Sequence, residues 1–312
     1  MRRPEQRILT AVLGLMLFLL PACAKAPATD RTNFTTPDEA AKALMNALKT
    51  NNAGELKAIF GPNVEKDLSS GDPVSDRHDR EAMAVAMGQS WRWVPNGADR
   101  QELVVGDEQW PFPVPLAKVR GGWQFDADAG ADELISRRIG RNELRVIDVG
   151  RDYVAMQKAY ASEPRDGKIA GLYAQKFLST PGRQDGLYWS VGPEEKASPL
   201  GALVAQAVVE GYDVNNGSSE PMWGYHFRIL TAQGAAAKGG ARSFIVNGEM
   251  SGGFGLIAYP ADYGRGGIMT FMVSQDGVVY QKDLGEDTLK VAAGLNEYNV
   301  DASWAEVKKP QP

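Results

Sequence analysis

The sequence predicts an α+β fold in which helices followed by antiparallel strands occur twice along the chain. Apolar residues recur at helical spacing over residues 37–60 and again after residue 131. Each helical stretch leads into short, alternating apolar runs separated by glycine-rich turns, which is typical of antiparallel sheets. Because 312 residues favour two domains, we predict one domain over residues 33–128 and a second over residues 131–305. The first should combine helices with a meander, and the second a long helix packed on a sheet.

The first domain opens with a helix whose start is marked in the sequence. The run TPDE over residues 36–39 is a capping box with proline at the first helical position, and apolar spacing carries the helix to about Lys49. A second helix ends before Gly61, and a third is predicted over residues 75–87. Strands are then predicted over residues 91–94, 102–105, 116–119 and 123–125, the last two as a hairpin. Helices before a meander resemble the cone-shaped nuclear-transport-factor-like and cystatin-like domains.

The second domain is predicted to begin after a junction at residues 126–132, whose sequence is DADAGAD. A long helix should follow to about residue 161, with Gly140 as a candidate break. Residues 162–190 lack a clear period and are predicted to be loops. A further helix is predicted over residues 200–209, and antiparallel strands over residues 223–230, 254–259, 268–274 and 278–282.

Composition excludes several classes of protein. The chain has 34 Lys+Arg against 39 Asp+Glu, a net charge of −5 that argues against a nucleic-acid partner. A single cysteine excludes a disulfide scaffold and a thiolate-clustered metal site. With only two histidines as well, we predict no cofactor and no metal.

The N-terminus has the features of an export signal. Arg2, Arg3 and Arg7 precede an apolar run over residues 8–20, which is too short to span a bilayer as an ordinary helix. The run LPAC over residues 20–23 resembles a bacterial lipobox, in which the cysteine is lipidated. We therefore predict a signal peptide over residues 1–22, lipidation of Cys23 and a tether over residues 23–35.

One feature refines this predicted location. No Asp follows Cys23 as an inner-membrane retention signal, so we expect a periplasm-facing lipoprotein of the outer membrane. The only membrane contact would then be the N-terminal lipid. The alternative is cleavage after Ala24 or Ala26, which would release a soluble exported protein.

Six runs of sequence carry a resemblance to a known family. Together they resemble the bacterial domain-of-unknown-function family 2950 over about residues 33–305. The resemblance implies an envelope protein with a signal sequence and assigns no activity. The runs are SSGDPVSDR (69–77), WPFPVPLAKVRGGWQFD (110–126), RRIGRNEL (137–144), GYHFRILTAQG (224–234), GGFGLIAYPADYG (252–264) and MTFMVSQDGVVYQKDLG (269–285).

The second domain also resembles the globular part of type IV pilins and pseudopilins. The shared features are the helix motif NELRVI over residues 142–147, the strand GYHF over residues 224–227 and a hairpin over residues 271–278. The resemblance implies a helix packed on an antiparallel sheet. This chain lacks the long apolar half of the pilin helix, so assembly into a pilus is not implied.

One polar cluster is a candidate catalytic site. Asp72, Asp76, His78 and Asp79 lie together at the predicted start of the third helix. A carboxylate pair there would suit hydrolysis of a glycan, and His78 could serve as the base of a nucleophilic site. The alternative is helix capping with solvated ion pairs, because acids at a helix N-terminus are favourable in any case. Residues 126–133 (DADAGADE) and 213–217 (DVNNG) also hold several side chains with oxygen atoms, but neither run has the spacing of a calcium-binding loop.

Aromatic residues supply a candidate ligand pocket in the first domain. Trp91, Trp93, Trp110 and Trp123 cluster around the extended run PFPVP over residues 111–115. Such residues either fill the core or line a cleft for a peptide, a sugar or a small apolar ligand.

Three functions follow from these observations, in order of preference. The first is a non-catalytic scaffolding or partner-binding lipoprotein that contacts another envelope protein. The second is a periplasmic module that binds a small ligand, peptide or glycan in the aromatic pocket, and the third is an envelope hydrolase. An exposed apolar or edge-strand patch would favour the first, an apolar cavity the second, and converging carboxylates the third.

Overall fold

The computed structural model of the chain describes residues 30–64, 69–213 and 220–308. The predicted signal peptide, Cys23 and most of the tether lie outside these residues. The described chain is a mixed α+β protein, which confirms the predicted fold class. Among the described helices, none combines the length and apolar character needed to cross a membrane.

Three helices form the start of the described chain, and their boundaries follow from local capping. The Thr36 side chain accepts a hydrogen bond from the Glu39 amide at 3.2 Å, as the predicted capping box requires, whereas the Glu39 carboxylate accepts from the Thr35 amide at 3.0 Å. The first helix buries Leu44 and the alanines beside it against the neighbouring sheet and helices. The helices are α1 (Pro37–Lys49), α2 (Ala53–Phe60) and α3 (Pro73–Gln89).

An antiparallel sheet follows in the order β1-β2-β4-β5, with β3 paired to β2. Phe34 pairs with Trp123 and covers the outer edge of β5. The inner face packs on α1 and α2 through Phe125 and Leu103, which are fully buried. The strands are β1 (Trp91–Pro95), β2 (Arg100–Val105), β3 (Trp110–Pro111), β4 (Leu116–Val119) and β5 (Gly122–Phe125).

The long helix α4 (Ala127–Ala161) has 35 residues and runs without interruption, which makes it roughly 52 Å long. Most of the predicted junction, residues 126–132, is therefore helical, because α4 begins four residues before its predicted start at Ala131. The predicted break at Gly140 is wrong. At Gly130 the helix packs directly on the segment between β3 and β4. A Cβ atom added at Gly130 would lie 2.6 Å from the Cα atom of Val114. Asp128 binds Arg31 at 2.8 Å and suits the positive end of the helix dipole.

The described residues that follow α4, which we call the second half, contain two further helices, α5 (Gly201–Glu210) and α6 (Thr288–Gly294). The sequence predicted α5 but missed α6, which is only two turns long. An antiparallel sheet in the order β14-β13-β12-β11-β6 packs on α4, as predicted for the second half. The strands are β6 (Tyr225–Leu230), β7 (Ala232–Gln233), β8 (Arg242–Ser243), β9 (Ile245–Val246), β10 (Glu249–Met250), β11 (Gly255–Pro260), β12 (Met269–Ser274), β13 (Val279–Asp283) and β14 (Ala305–Glu306).

Buried apolar side chains of the described chain form two large clusters and one small one. The first large cluster lies between α1, α2 and the first sheet, and the second between α4 and the second sheet. Leu134, near the start of α4, packs on the first cluster, whereas Val146 and Tyr153 belong to the second. One helix therefore contributes to both cores, and the predicted division into two domains stays a prediction.

Candidate functional site

The start of α3 is bound to the second half by a buried carboxylate. Asp72 is the N-cap residue of α3, and its Oδ1 atom accepts hydrogen bonds from the amides of Val74 and Ser75 at 3.1 and 3.0 Å. Its Oδ2 atom accepts from the Tyr212 hydroxyl at 2.7 Å and from the Gly224 amide at 3.0 Å. Asp72 is 1 % exposed, so this carboxylate joins residues that are far apart in sequence.

Helix α4 binds the same region through two adjacent polar residues. The side-chain amide of Asn142 donates to the Gly266 carbonyl at 2.9 Å. Glu143 Oε1 accepts from the amides of Ile268 and Met269 at 3.0 Å each, which orders the chain as it enters β12. These contacts and those of Asp72 form one connected region, which we call the junction network.

A tight turn places an aromatic ring beside this network. Trp223 and Gly224 occupy the centre of a two-residue hairpin, with φ angles of +55° and +77°. Glycine suits this left-handed conformation, whereas tryptophan adopts it only because its surroundings hold it there. The Trp223 indole donates to Glu210 at 2.5 Å, and the Arg145 guanidinium lies 4.2 Å from the ring centroid. Arg145 also binds Glu210 at 2.5 Å.

These contacts set the protonation of Glu210. Burial alone would raise the pKa of its carboxyl group, but hydrogen bonds from Trp223 and Arg145 outweigh burial and hold the pKa below its ordinary value of 4.5. A carboxyl group whose pKa is lowered in the folded state stabilises the fold at pH values above its unfolded-state pKa. That contribution is lost as the pH falls through the folded-state pKa.

We therefore expect Glu210→Gln to make the fold less sensitive to acid. At pH 7 the variant should lose stability, because the charge-assisted bonds to Arg145 and Trp223 weaken. From pH 5 down to pH 3 its free energy of unfolding should fall less steeply than that of the wild type. Urea unfolding across this range measures both effects, with Glu81→Gln as the control for removing an exposed carboxylate. If the free energies of unfolding of wild type and Glu210→Gln change in parallel with pH, the lowered pKa of Glu210 is contradicted.

The four residues of the predicted polar cluster make different contacts. Asp72 is part of the junction network, whereas Asp76 accepts hydrogen bonds from the Ser70 amide at 3.1 and 3.2 Å. Asp79 binds Arg141 of α4 at 2.5 Å, and His78 is exposed. The arrangement matches the capping and ion-pair alternative better than a catalytic one.

The four tryptophans of the pocket predicted in the first domain contribute mainly to packing. Trp91 and Trp93 are half-buried on one face of β1, and the Trp93 ring lies 6.4 Å from that of Phe125. Trp110 is 37 % exposed beneath the Arg137 guanidinium, and Trp123 lies beside Lys118. None of these tryptophans lines any of the three cavities described for this chain.

An apolar cavity of about 110 Å³ lies in the second half, between α4, α5 and the sheet. Side chains at helical spacing on α4 and α5 form two of its walls, and β6 and β11 form the third. The turn before β6 lies at one end, and the exposed residues Asp213 and Glu220 also belong to the lining. The main lining residues are Val149, Tyr153 and Met156 of α4, Leu203 and Val204 of α5, Phe227, Leu256, Tyr212, Met222 and Trp223.

The polar atoms of the aromatic lining are bonded to the protein itself. The Tyr153 hydroxyl lies 3.2 Å from the Gly255 carbonyl, to which it donates, and accepts from the Gln157 side chain at 2.9 Å. Tyr212 donates to Asp72 and accepts from the Trp223 amide at 2.8 Å. Burial raises the pKa of both tyrosines, so both stay neutral at physiological pH. These walls can therefore bind apolar groups but offer little acid–base chemistry.

The other two cavities are more polar. One of about 40 Å³ lies between Arg31, Phe60 and the start of α4. The other, of about 240 Å³, is bordered by ion pairs, among them Lys168 with Glu249 at 2.9 Å and Lys176 with Asp185 at 2.6 Å. The apolar cavity is the one whose lining best fits a small-molecule site.

A comparison with known families gives a match over residues 31–307, to the family described as Protein of unknown function (DUF2950). The chain belongs to this family. Three of the runs that carry the resemblance supply Asp72, Asn142 and Gly224 to the junction network of this DUF2950 chain. No curated protein and no solved structure matches the chain. The resemblances to pilins and to cone-shaped domains stay predictions.

Sequence reasoning missed the cavity of this DUF2950 chain, although the signal for its walls was present. The spacing of Val149, Tyr153 and Met156 marks one face of a helix, as does that of Leu200, Leu203 and Val204. Periodicity shows that such a face is covered, but not whether the covering elements fill all the space between them. The role of Trp223 was also missed, because the residue was predicted to lie within the strand.

Proposed function

We propose that this chain is an exported, non-catalytic binding protein of the bacterial cell envelope, with its small-ligand site in the apolar cavity. The observation that carries the proposal is the cavity lining, in which carbon faces the space and the aromatic hydroxyl and indole groups are bonded within the protein. This site lies in the second half, whereas the sequence placed a candidate pocket among the tryptophans of the first.

The positions of the acids support a role without catalysis. Hydrolysis of a glycan requires two carboxyl groups that face each other across a substrate. Here Asp72, Asp76 and Asp79 bind three different partners. Their arrangement favours binding over hydrolysis.

The proposal is tested by exposing the purified mature protein to a small-molecule extract of the bacterial envelope. Native mass spectrometry after repurification should detect an adduct on the wild type. The adduct should be absent from Val149→Phe, in which a larger side chain fills the cavity, and present on Val85→Phe, whose exposed position on α3 lies outside it. No adduct on the wild type, or equal adducts on both variants, would contradict the proposal.

The location is proposed from the sequence signal at Cys23. We expect Cys23→Ala to move the protein from the membrane fraction to the soluble fraction and to change its apparent mass, because the acyl anchor is lost. A change in the tether, Thr29→Ala, should leave both properties as they are in the wild type. Membrane fractionation and apparent mass unchanged in Cys23→Ala would exclude lipidation.

Binding of an envelope protein is a second candidate function, and exposed apolar residues of α5 favour it. Val208 and Val209 are 52 % and 87 % exposed, although a helix face normally buries such residues. A photo-crosslinker at position 209 in intact cells should capture one reproducible envelope protein, whereas the same probe at Lys49 should not. If the probes at both positions capture no other protein, this candidate is excluded.

A further inference from the structure

We infer that the apolar cavity takes a single linear aliphatic chain, as found in fatty acids, long-chain alcohols and acylated lipids. This inference rests on the proposed function and names the chemical class of its ligand. Three observations carry it: the occupied polar atoms of the lining, the size of the cavity and its opening to solvent.

The lining offers a buried ligand few partners for hydrogen bonds. The Tyr153 and Tyr212 hydroxyls and the Trp223 indole are bonded to Gly255, Asp72 and Glu210. A sugar or a nucleotide base inside the cavity would leave its own polar groups without partners, which is costly in an apolar site. Hydrocarbon has no such requirement, so it suits these walls.

The size of the cavity favours a chain over a ring system. Its volume is about 110 Å³, whereas cavities that bind a single benzene ring hold about 150 Å³. A fused ring system would therefore need the walls to move apart. A linear chain has a smaller cross-section and fits between α4 and α5 without that change.

The opening allows the rest of a longer molecule to remain in water. Asp213 and Glu220 border the cavity and are exposed, whereas Leu256 and Val204 at the inner walls are buried. A chain can thus lie against the buried walls while a polar head group stays beside the exposed part of the lining. Amphipathic molecules with one acyl chain have this shape.

Calorimetric titration of the mature protein with linear alcohols of increasing length tests the inference. Affinity should rise about fourfold with each added methylene group and level off once the chain fills the cavity. Val149→Phe should weaken binding at least tenfold, whereas Val85→Phe should bind as the wild type does. Leu203→Ala enlarges the cavity, so its affinity should level off at a longer chain. This second variant tests the site even where Val149→Phe fails to fold.

A fatty acid and a single-chain phospholipid of the same chain length then distinguish the sources of the chain, and tighter binding of either supports the inference. Ring compounds that bind more tightly than the alcohols, and that Val149→Phe blocks, would overturn the inference but leave the proposed function intact. Alcohol binding that neither cavity variant changes would overturn the inference, because the chain would lie elsewhere. If no alcohol binds, the inference is wrong, and the adduct experiment decides the proposed function separately.

Discussion

Replacing Asp72 by alanine is expected to destabilise the fold by about 3–5 kcal/mol. The change removes an N-cap, which contributes roughly 0.5–2 kcal/mol. It also leaves the Gly224 amide and the Tyr212 hydroxyl buried without their acceptor, and each such loss costs about 1–3 kcal/mol. Urea unfolding followed by circular dichroism measures the effect.

The matched control is Asp38→Ala in the first turn of α1. Asp38 is exposed and is not the N-cap residue, so its loss should cost less than about 1 kcal/mol. Equal effects of the two substitutions would mean that the bonds from Asp72 to the second half contribute little stability. The junction network would then not be a stabilising contact between α3 and the second half.

Two glycine-to-alanine changes in α4 are expected to have opposite effects. Alanine normally stabilises a helix by about 1 kcal/mol relative to glycine. At Gly130, however, the new Cβ would lie 2.6 Å from the Val114 Cα and 2.9 Å from the Pro113 carbonyl oxygen. The backbone must shift to relieve this overlap, so we expect Gly130→Ala to destabilise by about 1–3 kcal/mol.

Gly140 provides the matched control within the same helix. An added Cβ there meets nothing within 4 Å, so Gly140→Ala should stabilise by about 0.5–1 kcal/mol. Thermal or urea unfolding of both variants gives the comparison. Stabilisation by both substitutions would contradict the direct packing of α4 on the first half, and destabilisation by both would contradict a continuous helix at Gly140.

Elements that depend on local chemistry were predictable from the sequence. The capping box at Thr36, the β4–β5 hairpin and α5 lie close to their predicted positions, because each is set by residues a few positions apart. The α+β class follows from the same local patterns.

The early start of α4, within residues 126–132, has a nonlocal cause. Aspartate and glycine are common in loops, but they are also suited to the first turn of a helix that meets another backbone. Only the position of Val114 next to Gly130 decides between the two. The sequence alone does not contain that distance.

The candidate site depends even more on distant contacts. Asp72 binds residues 140 and 152 positions away, and no local pattern encodes such pairs. The cavity is the space that the side chains of two helices and a sheet leave unfilled, so it depends on every side chain around it. The tryptophans of the first half show the same limit, since an aromatic cluster in sequence predicts equally well a packed core and a pocket.

The central claim is that a ligand binds in the cavity between α4, α5 and the sheet. A crystal structure of the mature protein with a linear alcohol brominated at its far end tests this claim most directly. We expect an anomalous bromine peak between Val149, Leu203 and Phe227. A peak only at another site, or a cavity without bromine at saturating alcohol, would contradict the account.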